Sequence, residues 1–404
     1  MGQDSHLHPF RGTGNKRGGH DPRRKRLGYQ KNIVNSDTKY MLRALELARR
    51  GRGLVEPNPL VGCVIVGKGR IVGEGFHRRF GGPHAEVIAL RRAGRAARSA
   101  TCYVTLEPCC HVGKTGPCTT ALVEAGVKRV VVACRDPFHK VAGKGIAALR
   151  RAGIKVDVGL CRAEAESLNA PFIKVQNSGL PWVIAKWAMT LDGAISTGKK
   201  GRGRWISGPQ SRMLVHELRA RVDAVIVGIG TVLADDPRLT ARGVRVKRVA
   251  RRVVIDPSLR IPTGSQLVRS AGRTPLTVVT RSLDRVGRGL RKPGVELVAM
   301  PNGRGGRIDP ERILRWLARE HGATNVLVEG GAKTLKRFFD AGMVDEAWVF
   351  VAPRVVTDRA AVRLDLGAET RKPTRPGGPV PLRLVESLRV GRDIRLRFLR
   401  PLKS

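Results

Sequence analysis

His84-Ala85-Glu86, followed by Thr105-Leu106-Glu107-Pro108-Cys109 and then Cys118, restricts the fold of this chain more than any other feature. One imidazole and two thiolates can hold a zinc ion, which in catalytic sites leaves its fourth position to water. A structural zinc needs four protein ligands; here three are accompanied by a carboxylate, Glu86, two residues from the imidazole. Glu86 is placed to move protons for that water. For these side chains to meet, a helix start at His84 must lie against the end of a strand at Pro108-Cys109. Cys109 and the turn after it are expected at a second helix start, whose positive end favours a thiolate.

The flanking residues supply the elements. Ser36-Asp37 offers an N-cap for a helix through Tyr40, Met41, Ala44, Leu45, Leu47 and Ala48 that stops at Gly51. Strands are expected at 61–66, 71–75, 102–106, 130–133 and 155–158, with helices at 85–93, 119–125 and 145–152. Residues 168–181, broken by Asn-Ala-Pro and Asn-Ser-Gly-Leu-Pro, read as a domain junction. Further strands are expected at 183–188, 224–228, 252–256, 276–280, 295–300, 325–329, 347–352 and 394–399, with helices between them. Alternating strands and helices imply α/β sheets covered on both faces. At 404 residues two domains are expected: a basic tail over 1–35, a first domain over 36–175 and a second over 181–404.

Composition limits the partners. With 76 basic and 33 acidic side chains the formal charge is +43, a field that gathers anions without choosing among them. The tail contributes eight Lys/Arg and two Asp, and the remainder is scattered through both halves. A dedicated nucleic-acid role is therefore not expected. All seven cysteines lie in the first 161 residues, a pattern that favours reduced thiols and metal binding over disulfides. No apolar run reaches the roughly 18–20 residues that span a bilayer. The opening segment lacks the apolar core of a signal peptide. It passes only weakly for a transit peptide, so the expected location is the cytoplasm.

The spacing of the two cysteines narrows the chemistry. Deaminases of nucleosides and nucleic acids space them Pro-Cys-x-x-Cys, whereas eight residues separate Cys109 from Cys118 here. With Pro57-Asn58-Pro59-x-Val61-Gly62, Gly75-x-His77, Pro83-His84-Ala85-Glu86-Val87, Asp136-Pro137 and Val141-Ala142-Gly143, this longer loop resembles the deaminase half of bifunctional riboflavin-biosynthesis enzymes. The resemblance implies a cytidine-deaminase-like three-layer α/β/α domain holding one zinc per chain through His84, Cys109 and Cys118, with Glu86 catalytic. The substrate would be a diaminopyrimidinone ribosylamine phosphate. Asn58 and Asp136 would contact its pyrimidine or ribose, and His77, His111 and Lys114 would form a phosphate-side cluster. Lys114, in a glycine-flanked loop, is well placed for an anionic substrate, with a solvated loop lysine the lesser alternative. Cys110 stands where the family usually has Ser, and Phe138 where it usually has Asn.

In the second half, Lys186-Trp187-Ala188-Met189-Thr190-Leu191-Asp192-Gly193, Trp205-Ile206-Ser207-Gly208, the 231–240 segment and Val328-Glu329-Gly330-Gly331 follow in order. Glycines between a strand and a helix expose N–H groups to an anion such as a dinucleotide pyrophosphate. Ile226-Val227-Gly228-Ile229-Gly230 lacks the third glycine of a Rossmann fingerprint. Together the four blocks resemble the riboflavin-pathway reductase, a dihydrofolate-reductase-like α/β enzyme that uses NADPH. The resemblance implies Lys186, as a catalytic residue, and Asp192 at the reaction centre. Met189, Trp205, Thr231, Asp235, Gly331, Ala332, Lys333, Thr334 and Leu335 would contact NADPH. Gly203, Arg219, Leu239, Arg242 and Glu329 would contact the substrate, the two arginines through bidentate pairing with phosphate. In so Arg-rich a chain either arginine could be a surface charge. Gly203 and Pro257 replace residues usually Ser in the family. A homo-oligomer acting on phosphorylated pyrimidines is expected.

Overall fold

The computed structural model describes residues 36–111, 116–138, 141–196, 205–284, 286–303, 307–357, 361–363 and 381–401. Its first sheet starts from a buried β-branched run, β1 (Gly62–Gly67), paired antiparallel with β2 (Arg70–Phe76) and with β3 (Thr101–Val104). β4 (Arg129–Val132) and β5 (Lys155–Val158) continue it in parallel, giving the order β2-β1-β3-β4-β5. One face is covered by α2 (Ala85–Ala93), α3 (Cys118–Glu124) and α4 (Lys144–Arg151), which bury Ala85, Ala89, Leu122, Ile146 and Leu149. The other is covered by α1 (Ser36–Arg49) and α5 (Arg162–Leu168), which bury Met41, Leu45, Ala165 and Leu168. This is the expected three-layer arrangement. Gly73 and Gly75 of β2 let α2 approach closely, since a Cβ at either would fall 2.2 Å from a carbonyl oxygen of Ala89 or Ala85. That contact fixes the height of His84 over the sheet.

Two expectations change. The segment read as a broken junction contains a helix, α6 (Ala170–Ser178), because Pro171 occupies its first turn, where a missing N–H costs nothing. Asn169, between α5 and α6, is pinned by paired hydrogen bonds to Leu60, 2.8 Å from its amide and 3.0 Å from its carbonyl. The second helix start belongs to Cys118, not to Cys109, which sits in the loop after β3.

The second sheet runs β10-β9-β8-β7-β11-β6-β12-β14-β13. Its parallel strands are β6 (Trp182–Thr190), β7 (Ala224–Gly228), β8 (Arg251–Ile255), β9 (Leu276–Thr280), β10 (Val295–Ala299), β11 (Asn325–Val328) and β12 (Glu346–Ala352). β13 (Arg383–Val390) and β14 (Asp393–Leu399) close it antiparallel. Its helices are α7 (Pro209–Arg219), α8 (Ile229–Asp235), α9 (Gln266–Arg269), α10 (Pro310–His321) and α11 (Ala332–Asp340). β13 was not expected from the sequence: a register shift between Leu384 and Glu386 breaks its period of two, and it pairs on one side only. No helix among the described residues is long and apolar enough to cross a membrane.

Candidate active sites

His84 is the extended residue that caps α2 (φ −72°, ψ 163°), so its ring leaves the helix start while Glu86, inside the first turn, is buried. Cys109 arrives from β3, and Cys118 is the first, fully buried residue of α3. His84 Nδ1 lies 3.2 Å from Cys118 Sγ and 3.5 Å from Cys109 Sγ. The three ligand atoms all lie within 4.8 Å of one another. Zinc bonds of about 2.0–2.3 Å at tetrahedral angles set such atoms roughly 3.5–3.8 Å apart, so the donor set fits zinc. The cluster takes Cys109 and leaves Cys110 outside it. The Cys118 amide points at Cys109 Sγ from 3.4 Å. Hydrogen bonds from Cys118 and His84 hold the Cys109 thiol down at about 4, while Cys118, the donor of that pair, is driven up. Burial, reinforced by the Cys109 thiolate, pushes the Glu86 carboxyl up to about 6.

Asn58 and His77 meet beside this cluster. His77 Nδ1 donates to the Pro83 carbonyl at 3.1 Å, leaving Nε2 to accept from Asn58 Nδ2 at 3.2 Å. Burial lowers the pKa of His77. A neutral ring with both nitrogens engaged orients Asn58; it does not supply the cation expected of a phosphate-side cluster. The His111 ring stands edge-on to Phe138 at 6.2 Å between centroids. Asp136 accepts from the Phe138 amide at 2.8 Å, and burial raises its carboxyl to about 6. Lys114 lies outside the described residues.

Sequence reasoning missed Glu107. Its buried carboxylate accepts from the amides of Asp136 (3.3 Å), Gly143 (3.0 Å), Gly145 (3.0 Å) and Ile146 (3.1 Å). It thereby ties the zinc loop to the 136–143 loop and to the start of α4. The available signal was an acidic residue at the end of an apolar strand, which has to find donors when buried.

In the second domain a cavity of about 1330 Å³ opens at the carboxyl ends of the parallel strands. Lys186, Trp205, Thr231, Asp235 and the 331–334 turn line it, as do Arg219, Leu239, Arg242 and Glu329. Met189 and Leu335 are not among its lining residues: Met189 pairs with Val351 in the sheet, and Leu335 is fully buried in the core. The Leu335 amide, moreover, already donates to the Gly331 carbonyl at 3.2 Å. Asp192 also stands outside the lining, its carboxylate bonded to the Thr190 hydroxyl (2.5 Å), the Val356 amide (3.2 Å) and Arg363 (3.0 Å). Gly203 lies outside the described residues.

Two strand-to-helix turns form the cofactor side. The Gly331 amide donates to Thr231 Oγ1 at 3.2 Å, joining the starts of α11 and α8. A Cβ at Gly228 or at Gly330 would fall 2.4 Å from Thr334. Only backbone fits there, and it frames a cradle open to the cavity, which suits a pyrophosphate at the start of α11. In the same cavity Arg212 stacks over Trp205 at 5.0 Å and donates to the Ser207 carbonyl at 2.7 Å. Asp393 of β14 anchors the same turn through Gly208 N (2.7 Å) and Ser211 Oγ (2.6 Å). Lys186 stands over the Phe350 ring at 5.9 Å, and burial lowers its pKa against the pull of Glu329.

Comparison with known proteins decides the assignment. Residues 181–396 match the family described as the RibD C-terminal domain, and residues 34–134 match the cytidine and deoxycytidylate deaminase zinc-binding region. The riboflavin biosynthesis protein RibD of Aquifex aeolicus (strain VF5) is 41% identical over 335 residues, covering 83% of this chain and 92% of the relative. The chain belongs to the RibD family. The RibD of Escherichia coli (strain K12) is 40% identical over 334 residues, covering 79% of this chain and 88% of the relative. Among solved structures, Acinetobacter baumannii RibD superposes with a TM-score of 0.78 at 36% identity, covering 91% of this chain and 100% of that one. The diaminohydroxyphosphoribosylaminopyrimidine deaminase/5-amino-6-(5-phosphoribosylamino)uracil reductase of Thermotoga maritima gives 0.78 at 34% identity, covering 91% and 99%. As a RibD the chain is a bifunctional enzyme of riboflavin biosynthesis, a zinc deaminase joined to an NADPH-dependent reductase.

Proposed function

We propose how the residues of this chain divide that work. Residues 36–175 form the deaminase unit and 181–404 the reductase unit. His84, Cys109 and Cys118 hold the zinc, which when bound supplies Lewis-acid activation of water. Glu86 takes the proton of the attacking water and hands it to the ring nitrogen and departing amine, so that ammonia leaves and oxygen stays on the ring. Asn58, steadied by His77, and Asp136 hold the pyrimidine and ribose.

NADPH, bound against Trp205, Thr231, Asp235 and the 331–334 turn, supplies the hydride that reduces the ribose. Lys186 provides the proton for the opened sugar. Leu239 and Arg242 hold the phosphorylated substrate, and Arg219 sets the orientation of Glu329. The thiolate ligands need a reducing compartment, which the cytoplasm supplies. Exposed Leu384 and Ile394, on one face of the β13–β14 hairpin, support assembly into a homo-oligomer.

The spacing of the His84, Cys109 and Cys118 ligand atoms beside the buried Glu86 carries this reading. Its test is one NADPH-oxidation assay in which the enzyme receives only the diaminopyrimidinone ribosylamine phosphate. Wild type is expected to consume NADPH. Glu86→Gln is expected to retain zinc but to consume NADPH only when the deaminated pyrimidine is supplied. A wild type that releases no ammonia and oxidises no NADPH would overturn the assignment of roles.

A further inference from the structure

Glu56 precedes Pro57-Asn58 in the deaminase unit, yet a side chain of the reductase unit holds its main-chain carbonyl. Arg248 NH2 donates to Glu56 O at 2.7 Å, and Arg248 NH1 donates to Asp223 Oδ1. The other Asp223 oxygen accepts from Thr324 N (2.8 Å), Thr324 Oγ1 (3.1 Å) and Asn325 N (2.8 Å), at the start of β11. The guanidinium is thus anchored on the reductase sheet, and its free prong reaches across.

The same side of the turn is fitted elsewhere. Lys247 Nζ donates to the Arg52 carbonyl at 3.1 Å. Gly53 has φ +82°, and a Cβ there would fall 2.9 Å from Arg221 Cβ. On the far side the turn closes through Asn58 N to Val55 O at 3.0 Å, and Asn58 Nδ2 meets His77 Nε2 at 3.2 Å. His77 in turn donates to Pro83 O, one residue before His84. Contacts therefore run from the reductase sheet through Asp223 and Arg248 to Glu56, along the turn to Asn58, and through His77 to the Pro83 carbonyl beside the zinc ligand His84.

We propose that Arg248 is a positioning residue for deamination, a reductase side chain that sets the 55–58 turn and so the placement of Asn58 against the deaminase substrate. A planar guanidinium suits the task because it serves an acceptor in each unit at once; a lysine ammonium offers a point charge without that fork. The deaminase half is then complete only when the reductase half is docked against it, which gives the fused chain a catalytic reason beyond bringing two activities together. The inference rests on the reading of Asn58 as a substrate contact.

The test uses the zinc-loaded full chain carrying Asn58→Ala, Arg248→Ala or Arg248→Lys. Ammonia release gives kcat and KM, and NADPH oxidation is followed separately with the deaminated pyrimidine supplied. Arg248→Ala is expected to raise the deaminase KM about tenfold with kcat nearly unchanged, since misplacement of a binding group costs affinity first. Reductase parameters should stay within about twofold. Arg248→Lys, which keeps a cation beside Asp223, should recover part of the loss and provides a folded variant if alanine proves too disruptive. If Asn58→Ala leaves KM unchanged, the reading of Asn58 fails and takes the inference with it. If Asn58→Ala raises KM but neither Arg248 variant does, the inference alone is overturned. It is also overturned if both activities fall together, the mark of a purely structural role.

Discussion

Arg219 and Glu329 face each other in a two-pronged ion pair at the reductase cavity, Nε to Oε1 at 2.6 Å and NH2 to Oε2 at 2.8 Å. The sequence suggested that Arg219 would fork a substrate phosphate. Its fork is taken by Glu329, and NH1 reaches the Thr240 carbonyl at 3.3 Å. Arg242 lines the same cavity, and its NH1 donates to Thr240 Oγ1 at 3.3 Å. Burial opposes charge on Glu329, but Arg219 and Lys186 outweigh it and hold the carboxylate below the usual glutamate range.

Breaking that pair should be costly. Removing one partner of a buried ion pair destabilises by roughly 3–5 kcal/mol, because the survivor is left uncompensated. Glu329→Gln is therefore expected to lower the denaturant midpoint of the reductase unit and to abolish most NADPH oxidation, while ammonia release persists. Unchanged NADPH oxidation would show that Arg219 and Glu329 are dispensable.

Gly330→Ala probes the cofactor cradle. Its Cβ would meet Thr334 at 2.4 Å, so the turn must move away from Thr231 and Gly331. The expected outcome, read by fluorescence titration, is NADPH affinity weakened by at least about tenfold, the equivalent of roughly 1.4 kcal/mol. Tight NADPH binding by the variant would remove the turn from the cofactor site.

Cys118→Ser tests the zinc ligands. Zinc content per chain should fall from one towards zero, and ammonia release should fall with it. NADPH oxidation on supplied deaminated pyrimidine should continue, since no zinc donor belongs to the reductase cavity. Full zinc retention would point to a different ligand set.

Glu346 sets an acid limit on the fold. Its buried carboxylate accepts from Trp182 Nε1 (3.0 Å), Trp348 Nε1 (2.6 Å) and Arg397 Nε (2.6 Å). Burial favours the neutral form, but Arg397 and the indoles prevail, so the folded pKa lies below the ordinary 4.5. A depressed pKa contributes stability that is complete above the unfolded value and is lost as pH falls through the folded one. Glu346→Gln should cost about 2 kcal/mol at neutral pH, and the gap to wild type should narrow as urea unfolding is repeated below about pH 4. A gap constant with pH would remove Glu346 as its source.

What the sequence could determine by itself was local. The helix Ala85–Ala93 and the strands Ala224–Gly228 and Leu276–Thr280 sit where periodicity and flanking glycines put them. His84, Cys109 and Cys118 were recognisable because zinc demands particular donors whatever the surrounding fold. Elements lacking such signals were missed: α6 hides behind its proline, and β13 is an edge strand with an interrupted period. The partners of polar side chains were beyond reach for a different reason. Arg219 meets Glu329 across 110 residues, and Arg248 reaches Glu56 across 192. Which acceptor an arginine takes depends on which strands lie side by side and how deeply the pair is buried. Local sequence carries no term for either, so the tertiary structure alone decided those pairings.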